Sequence, residues 1–208
     1  MYKRTKVYRD LCRRAKNIEK HLVRSFITKN VMDLTERELD LCRAYKILCH
    51  AEIEYYFEEI ARVVLQESLW QWDNGYKVTL PIVGLLGNFE RIETNDTINT
   101  KIHKIASDYF NQIIKTNHGI KEENIRKIYV NLGIDISEFD ITWISLLSSY
   151  GTSRGTIAHT SATTQTAINI QEATSDTERI LNGIEEFEKE IEKQTKINLN
   201  NAEKRGTL

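Results

Sequence analysis

The 208-residue chain has few of the residues that interrupt helices or cross-link a fold. It contains a single proline, Pro81, so few positions break a regular helical pattern. Its cysteines, Cys12, Cys42 and Cys49, are odd in number and have no metal-ligand spacing. Reduced, buried thiols in a cytoplasmic protein are the favoured interpretation. We therefore expect no disulfide framework, no metal site and no cofactor.

Other absences exclude whole classes of protein. No apolar run approaches the roughly 18 residues of a membrane span, and the basic N-terminus is not followed by the apolar segment of a signal peptide. A glycine-rich phosphate loop, a Ser-His-Asp order and a zinc signature are all missing, which leaves kinase and protease hypotheses without a motif. The formal net charge of -1 gives no overall attraction to nucleic acid or membranes.

The residues that are present favour an all-α fold. Apolar residues recur every three or four positions in a basic first helix within residues 1–28. Thr35 and Glu38 form a capping-box pattern ahead of a long second helix that stops near Gly75. We predict an elongated helical bundle around that second helix, as one domain over residues 1–197, with a frayed polar tail over 198–208.

The remaining segments give shorter predictions. Residues 73–97 are interpreted as an irregular connection, and helical pattern resumes after it. Gly133 closes a short helix, Asp140 caps the next, and Ser175 with Glu178 forms a second capping-box candidate at the start of the last helix.

Charge is unevenly placed along the chain. Residues 1–29 hold ten Lys and Arg against two acids, and residues 171–193 hold eight acids. This polarity indicates either an anion-binding basic end or two helices that attract one another.

The segment "SSYGTSRGTIAHTSATT", residues 148–164, carries one fixed cation and one titratable ring among small residues. On an ideal helix its small residues fall within a strip of about 60°, flanked by Arg154 and His159. The strip consists of Gly151, Gly155, Ala158 and Ala162. Small residues let another backbone approach closely, so two copies meeting here across a two-fold axis would bring two Arg and two His into one cleft. The alternative is packing against the chain's own second helix, with Arg154 in a salt bridge.

Such a cleft suits RNA cleavage by the neighbouring 2′-hydroxyl, without a metal ion. Arg154 stays charged and presents a planar fork to phosphate oxygens, whereas His159 can take or give a proton. Thr152, Ser153 and Thr156 are candidates for additional hydrogen bonds to the phosphate.

Three segments carry a resemblance to a known family. They are "RAYKILCHAEIEYYFEEIA" (43–61), "NHGIKEENIRKIYVNLGID" (117–135) and "RGTIAH" (154–159), the last an R-x4-H motif. In these segments and in their order the sequence resembles the RiboL-PSP type of the HEPN superfamily, over roughly residues 35–195. The resemblance implies an all-helical homodimer with a composite site and metal-independent endoribonuclease activity, as in toxin–antitoxin or antiviral systems. An antitoxin or other regulatory protein would then be a further partner.

The resemblance makes Arg154 and His159 the catalytic pair. It also makes an acid of the second helix a candidate assistant, either Glu52 or Glu54. His118 and Lys121, in "NHGIK", are candidate RNA contacts if that turn lines the cleft, and otherwise belong to a plain helix-stop turn.

Gly155 departs from the family pattern, because active members often carry Asn, Asp or His after the motif arginine. A catalytically inactive HEPN module that binds a partner protein or nucleic acid is therefore the alternative hypothesis. In a third hypothesis the chain is an unrelated bundle in which Arg154 and His159 are structural.

Overall fold

The computed structural model describes residues 3–88, 97–159 and 167–205, which form eight α-helices and no strand. The helices are α1 (Lys6–Leu22), α2 (Glu36–Gly75), α3 (Leu80–Asn88), α4 (Ile98–Tyr109), α5 (Glu122–Val130), α6 (Ile141–His159), α7 (Ile170–Thr195) and α8 (Leu199–Arg205). The predicted all-α class with a long second helix is confirmed.

Helix α2 is the spine of the fold. The backbone N–H of Thr35 donates to the Glu38 carboxylate at 2.9 Å, and the Glu38 N–H donates to the Thr35 hydroxyl at 3.3 Å, which confirms the predicted capping box. The 40-residue helix packs against α1, α3, α5, α6, α7 and α8. Packing on many sides, more than intrinsic propensity, stabilises a helix of this length.

An aromatic cluster joins α2, α5, α6 and α7. The ring of Phe187 lies 5.2 Å from Phe57, 5.1 Å from Tyr129, 4.9 Å from Phe139 and 5.6 Å from Trp143, measured between centroids. The pairs with Phe57 and Tyr129 meet edge to face, and the pair with Phe139 is stacked; both are favoured arrangements of aromatic rings. The Trp143 indole N–H donates to the carbonyl of Ile180 at 3.0 Å, so the ring's polar atom is also satisfied.

The first helix ends earlier than its apolar pattern predicts. Helix α1 stops at Leu22, and turns follow, yet Val23 and Phe26 remain buried at 0% and 3% exposure. The periodic apolar positions therefore continue into a segment whose side chains still reach the core without forming a helix. Arg4 pairs with Glu185 of α7 at 2.7 Å, so the basic end and the acidic helix do meet there.

The prediction of an irregular connection over 73–97 is wrong in part. Helix α2 continues to Gly75, and α3 occupies Leu80–Asn88. Pro81 lies in the first turn of α3, where its missing N–H leaves no intrahelical bond unmade. Ile82 and Leu85 of α3 are both 1% exposed, so burial of its apolar side chains stabilises the short helix.

Two further boundaries correct the sequence-based predictions. Helix α7 begins at Ile170, where the Asn169 side chain accepts hydrogen bonds from the N–H groups of Gln171 and Glu172. Ser175 lies inside the helix. The tail is not frayed over residues 199–205, because α8 packs on α2 with Leu199 at 0% exposure. Arg205 of α8 contacts the Glu67 carboxylate and stacks 4.0 Å from the Trp70 ring centroid.

Candidate nucleic-acid site on helix α6

The motif segment continues α6 without a break through residue 159. Gly151 is buried, whereas Arg154 and Gly155 are partly exposed. Ala158 and His159 lie in the last turn of the helix, where the backbone is described. Ala162, the fourth member of the predicted strip, lies outside the described residues.

The two glycines of the strip differ in their surroundings. A Cβ on Gly151 would lie 3.0 Å from Cγ of Lys121 and 3.5 Å from Cγ1 of Ile120. A Cβ on Gly155 would meet no atom within 4 Å in the described structure. Gly151 therefore allows the turn of residues 117–121 to pack against α6, and Gly155 faces open space within the part of the chain that the structure describes.

Arg154 has no internal counter-charge among the described residues. It takes part in no salt bridge or hydrogen bond there, and its Nε is buried without a hydrogen-bond partner. The salt bridge that would make this arginine purely structural is therefore absent from the described part of the chain. Its guanidinium keeps donors for an anionic ligand.

The hydroxyl residues of the motif line the exposed side of α6. Thr152 donates to the carbonyl of Ser148 at 2.9 Å, and Thr156 donates to the carbonyl of Thr152 at 3.3 Å. Ser153 is partly exposed, while Thr152 and Thr156 are exposed. Back-bonding of this kind uses the hydroxyl protons, so these two side chains donate to a phosphate only after they rotate away from the helix carbonyls.

The turn of residues 117–121 is clamped to α2 through Asn117. The Asn117 side-chain amide donates to the Glu58 carboxylate at 2.9 Å and to the Gly119 carbonyl at 3.0 Å, and it accepts from Asn124 at 3.2 Å. A π-helical turn, Phe110–Ile114, precedes it. The turn thus has a fixed place, with His118 exposed and Lys121 partly buried.

A second contact ties this turn to the motif helix. The backbone N–H of Glu122 donates to the Ser148 hydroxyl at 2.9 Å. Together with the close approach at Gly151, this bond places Lys121 beside the start of the motif segment. The turn and the motif helix are therefore in contact, and a role of His118 and Lys121 in binding RNA stays a prediction.

Helix α2 contributes a polar stripe of residues spaced four apart, which are Lys46, His50, Glu54 and Glu58. His50 is 1% exposed, and its Nδ1 lies 3.4 Å from the Glu54 carboxylate. Burial raises the pKa of Glu58, as does the charge of Glu54, while the Asn117 hydrogen bond and the nearby His118 oppose the rise.

The two candidate acids of α2 lie in different surroundings. Glu54 belongs to the polar stripe, whose Glu58 end contacts the turn at Asn117. Glu52 instead accepts a hydrogen bond from Arg14 of α1 at 3.0 Å. Glu54 therefore lies one helical turn from the residue that contacts the turn, Glu58, whereas Glu52 is paired with α1.

Sequence reasoning missed Lys46, Glu58 and Asn117, and it treated His50 as an ordinary helix residue. The available signal was the four-residue spacing of polar side chains inside an otherwise apolar helix. Within the described ranges, no group of three or more His, Cys, Asp and Glu side chains is arranged to hold a metal ion. The same ranges contain no helix that combines the length and apolar character needed to cross a membrane.

Comparison with known proteins adds one finding. The family model described as RiboL-PSP-HEPN matches residues 8–193, a range that includes the α2 stripe, the 117–121 turn and the motif helix. No curated protein and no solved structure matches the chain.

Proposed function

The chain belongs to the RiboL-PSP-HEPN family, and we propose that it is an endoribonuclease that cuts RNA without a metal ion at a site shared by two copies. Family membership supports a role in RNA cleavage or nucleotide binding. The observation that carries the finer proposal is Arg154, a cation on the motif helix with no counter-charge in the described part of the chain.

In the proposed mechanism the neighbouring 2′-hydroxyl of the RNA attacks the phosphorus atom. The imidazole of His159 removes the 2′-hydroxyl proton, and the imidazole of the second copy gives a proton to the departing 5′-oxygen. Arg154 holds the non-bridging phosphate oxygens and stabilises the negative charge that grows on them. The products are a 2′,3′-cyclic phosphate and a 5′-hydroxyl end.

The space beside Gly155 supports a shared site. Because a Cβ there meets no atom of the described chain within 4 Å, the helix face is open to a second α6. Small residues at such a face let two helices approach closely. In this arrangement Thr152, Ser153 and Thr156 lie at the rim of the cleft, together with His118 and Lys121 of the turn.

The proposal is tested by incubating the purified chain with total RNA and with tRNA in the presence of EDTA. We expect fragments that end in 2′,3′-cyclic phosphate, and a loss of roughly 10²–10⁴-fold in cleavage for His159→Ala and Arg154→Ala. His103→Ala is the matched control, since His103 is exposed and pairs with Asp73 at 2.8 Å, outside the motif. Equal cleavage by parent and His159→Ala would overturn the proposal.

A second function is favoured by one residue, Gly155, which stands where active members often carry a polar side chain. In that case the chain is an inactive module that binds RNA or a partner protein. Intact RNA in every lane, with a folded dimer that retains RNA or a partner, would support it.

A role as a toxin or antiviral effector is part of the first proposal. It predicts that expression of the parent chain arrests growth of a bacterial host and that expression of His159→Ala does not. Equal growth with both chains would contradict the effector role while leaving the cleavage assay to decide the chemistry.

A further inference from the structure

Lys46 of α2 is a buried cation in contact with an aromatic ring of α6. The residue is 8% exposed, and no carboxylate within the described residues forms a salt bridge with it. Its Nζ lies 5.0 Å from the ring centroid of Tyr150 in α6. Burial lowers the pKa of Lys46, and the more distant carboxylates of Asp176 and Glu172 in α7 oppose that change.

The register of α2 against α6 places Lys46 toward the Arg154 end of the motif helix. The Phe57 and Trp143 rings meet at 6.0 Å, and Lys46 meets Tyr150, so residue numbers fall along α2 as they rise along α6. Arg154 follows Tyr150 by one helical turn, a separation of about 5–6 Å between Cβ atoms on one face. Of the polar stripe of α2, Lys46 is therefore the member nearest to the Arg154 turn.

Such an arrangement opposes folding. A buried ammonium without a salt bridge is less stable than an apolar side chain of similar size. Arg154, one turn from the residue that Lys46 contacts, also has a buried nitrogen without a hydrogen-bond partner. Two under-compensated cations at one end of one helix pair are better explained by an anion that the site receives than by packing of the single chain.

We propose that Lys46 is a second phosphate-binding cation of this site, which acts with Arg154 on adjacent phosphates of a bound RNA strand. The inference rests on the proposed function and adds a residue to it. The four-carbon stem of lysine allows Nζ to leave the Tyr150 ring and reach a phosphate oxygen, whereas the flat guanidinium of Arg154 binds from α6. Exchange of a cation–π contact for a charged hydrogen bond accompanies RNA binding.

The test measures binding and not cleavage, so that it does not depend on catalysis. A single-stranded RNA oligonucleotide labelled with a fluorophore is titrated with His159→Ala at several salt concentrations, with and without Lys46→Met. Methionine keeps the unbranched stem and removes only the charge. We expect affinity at low salt to fall roughly tenfold and the slope of log K against log salt to decrease by about 0.7.

Two control variants accompany the binding experiment. Lys193→Met removes an exposed lysine at the far end of α7, where it pairs with Glu190 at 3.0 Å, and its binding curve should match the parent. Lys46→Arg keeps the charge and should retain the salt slope. Thermal unfolding of Lys46→Met should occur at the same temperature as the parent or higher, because a buried charge is removed.

The outcomes separate this inference from the proposed function. An unchanged affinity and slope for Lys46→Met would overturn it, as would failure of the His159→Ala chain to bind RNA. If Lys46→Met does not fold, the salt dependence of RNA binding is measured on Lys46→Gln instead. A folded Lys46→Gln chain with the same salt slope as the parent would also overturn the inference, because the role of Lys46 would then be structural. A parent chain that binds RNA with a Lys46-dependent slope but never cuts would contradict the endoribonuclease and support the phosphate site.

Discussion

The two ends of α6 show opposite uses of the same helix. At the Trp143 end, the indole N–H has its carbonyl partner and the ring packs into the cluster around Phe187. At the Arg154 end, the neighbouring side chains include cations without salt bridges in the described structure. Of the two glycines there, Gly151 packs against the 117–121 turn, and Gly155 has no neighbour within 4 Å in that structure. One helix thus carries a fully satisfied core at its start and an under-compensated polar surface at its end.

The contrast indicates that one end of α6 stabilises the fold and the other end is suited to bind a charged ligand. Stability comes from the aromatic end, where apolar area is buried and polar atoms are paired. The other end retains charges that reduce stability, which is typical of surfaces that bind a charged ligand. Substitutions at the two ends should therefore have different consequences, and they give direct ways to test this contrast.

The largest effect on stability is expected for Phe187→Ala. Phe187 is 1% exposed and contacts rings from α2, α5, α6 and the segment at Phe139. Its truncation should lower the free energy of unfolding by about 3–5 kcal/mol, measured by urea denaturation. Ile141→Ala is the control, because Ile141 is 69% exposed at the start of α6 and should change stability little. Similar losses for both variants would contradict the assignment of the core.

The next largest effect on stability is expected for Gly183→Ala. A Cβ at Gly183 would lie 2.1 Å from Nε1 of Trp143, so the ring must shift and its bond to the Ile180 carbonyl is strained. Overpacking of this kind costs about 1–3 kcal/mol, measured by the same denaturation experiment. A variant as stable as the parent would mean that the Trp143 end of α6 is not tightly packed.

Gly155→Ala is the matched substitution at the Arg154 end of α6. With no atom within 4 Å of the added Cβ, alanine should stabilise the single chain by about 0.5–1 kcal/mol through helix propensity. If a second α6 packs there, the same methyl should weaken the dimer, measured by sedimentation across a concentration series. An unchanged dimer would contradict an interface at this glycine.

Asn117→Ala should have an intermediate effect on stability and a larger one on RNA cleavage. The amide is 6% exposed and joins the turn to Glu58, so its loss leaves buried groups unpaired at a cost of about 1–3 kcal/mol. Cleavage should fall further than unfolding explains, because Lys121 and His118 lose their fixed place beside α6. Thr116→Ala, adjacent and exposed, is the control.

The smallest effect is a pH dependence of opposite sign at two glutamates of α2. A hydrogen bond from Lys29, then one from the Thr35 backbone, lowers the pKa of Glu38 from 4.5 to about 2. Its contribution to stability is therefore present above pH 4.5 and is lost as pH falls toward 2. Burial raises the pKa of Glu58, so its contribution is present below pH 4.5 and is lost as pH rises through the raised value.

Urea midpoints measured across pH distinguish the two carboxylates. Glu38→Gln should make the free energy of unfolding depend less on pH below 4.5. Glu58→Gln should make it depend less on pH above 4.5. The same change of slope in both variants would contradict the contrast between a capping carboxylate and a buried one.

Some elements of the fold could be predicted from the sequence because they depend only on neighbouring residues. The capping box at Thr35 needs only two residues in register, and its geometry is as predicted. The start of α7 was not predicted correctly, because Asn169 and Ser175 are both good caps and burial of Ile170 and Ala173 selects the first. Helix α8 was missed because its polar sequence becomes helical through contact with α2.

The candidate site could be predicted only in part, because some of its residues are distinguished by contacts between distant segments. Arg154 and His159 were predicted from a short motif, and Glu52 and Glu54 were the candidate acids of the second helix. Lys46 and Asn117 become notable only when burial and partners are known, since a lysine and an asparagine are common on helices and turns. The contacts that distinguish them join residues 59 positions apart for Asn117 and Glu58, and join α2 to α6 for Lys46 and Tyr150.

The start of α1 is held by residues from the other end of the chain. The N–H groups of Lys6 and Val7 donate to the Glu203 carboxylate of α8 at 2.7 Å, and Thr5 donates to the buried Glu188 of α7. Because α1 precedes α7 and α8 in the chain, its first turn can receive these partners only after α7 and α8 have been synthesised. Contacts so distant in sequence form slowly, so capping of the first turn of α1 should be a late event in folding, although the helix itself packs mainly on its sequence neighbour α2.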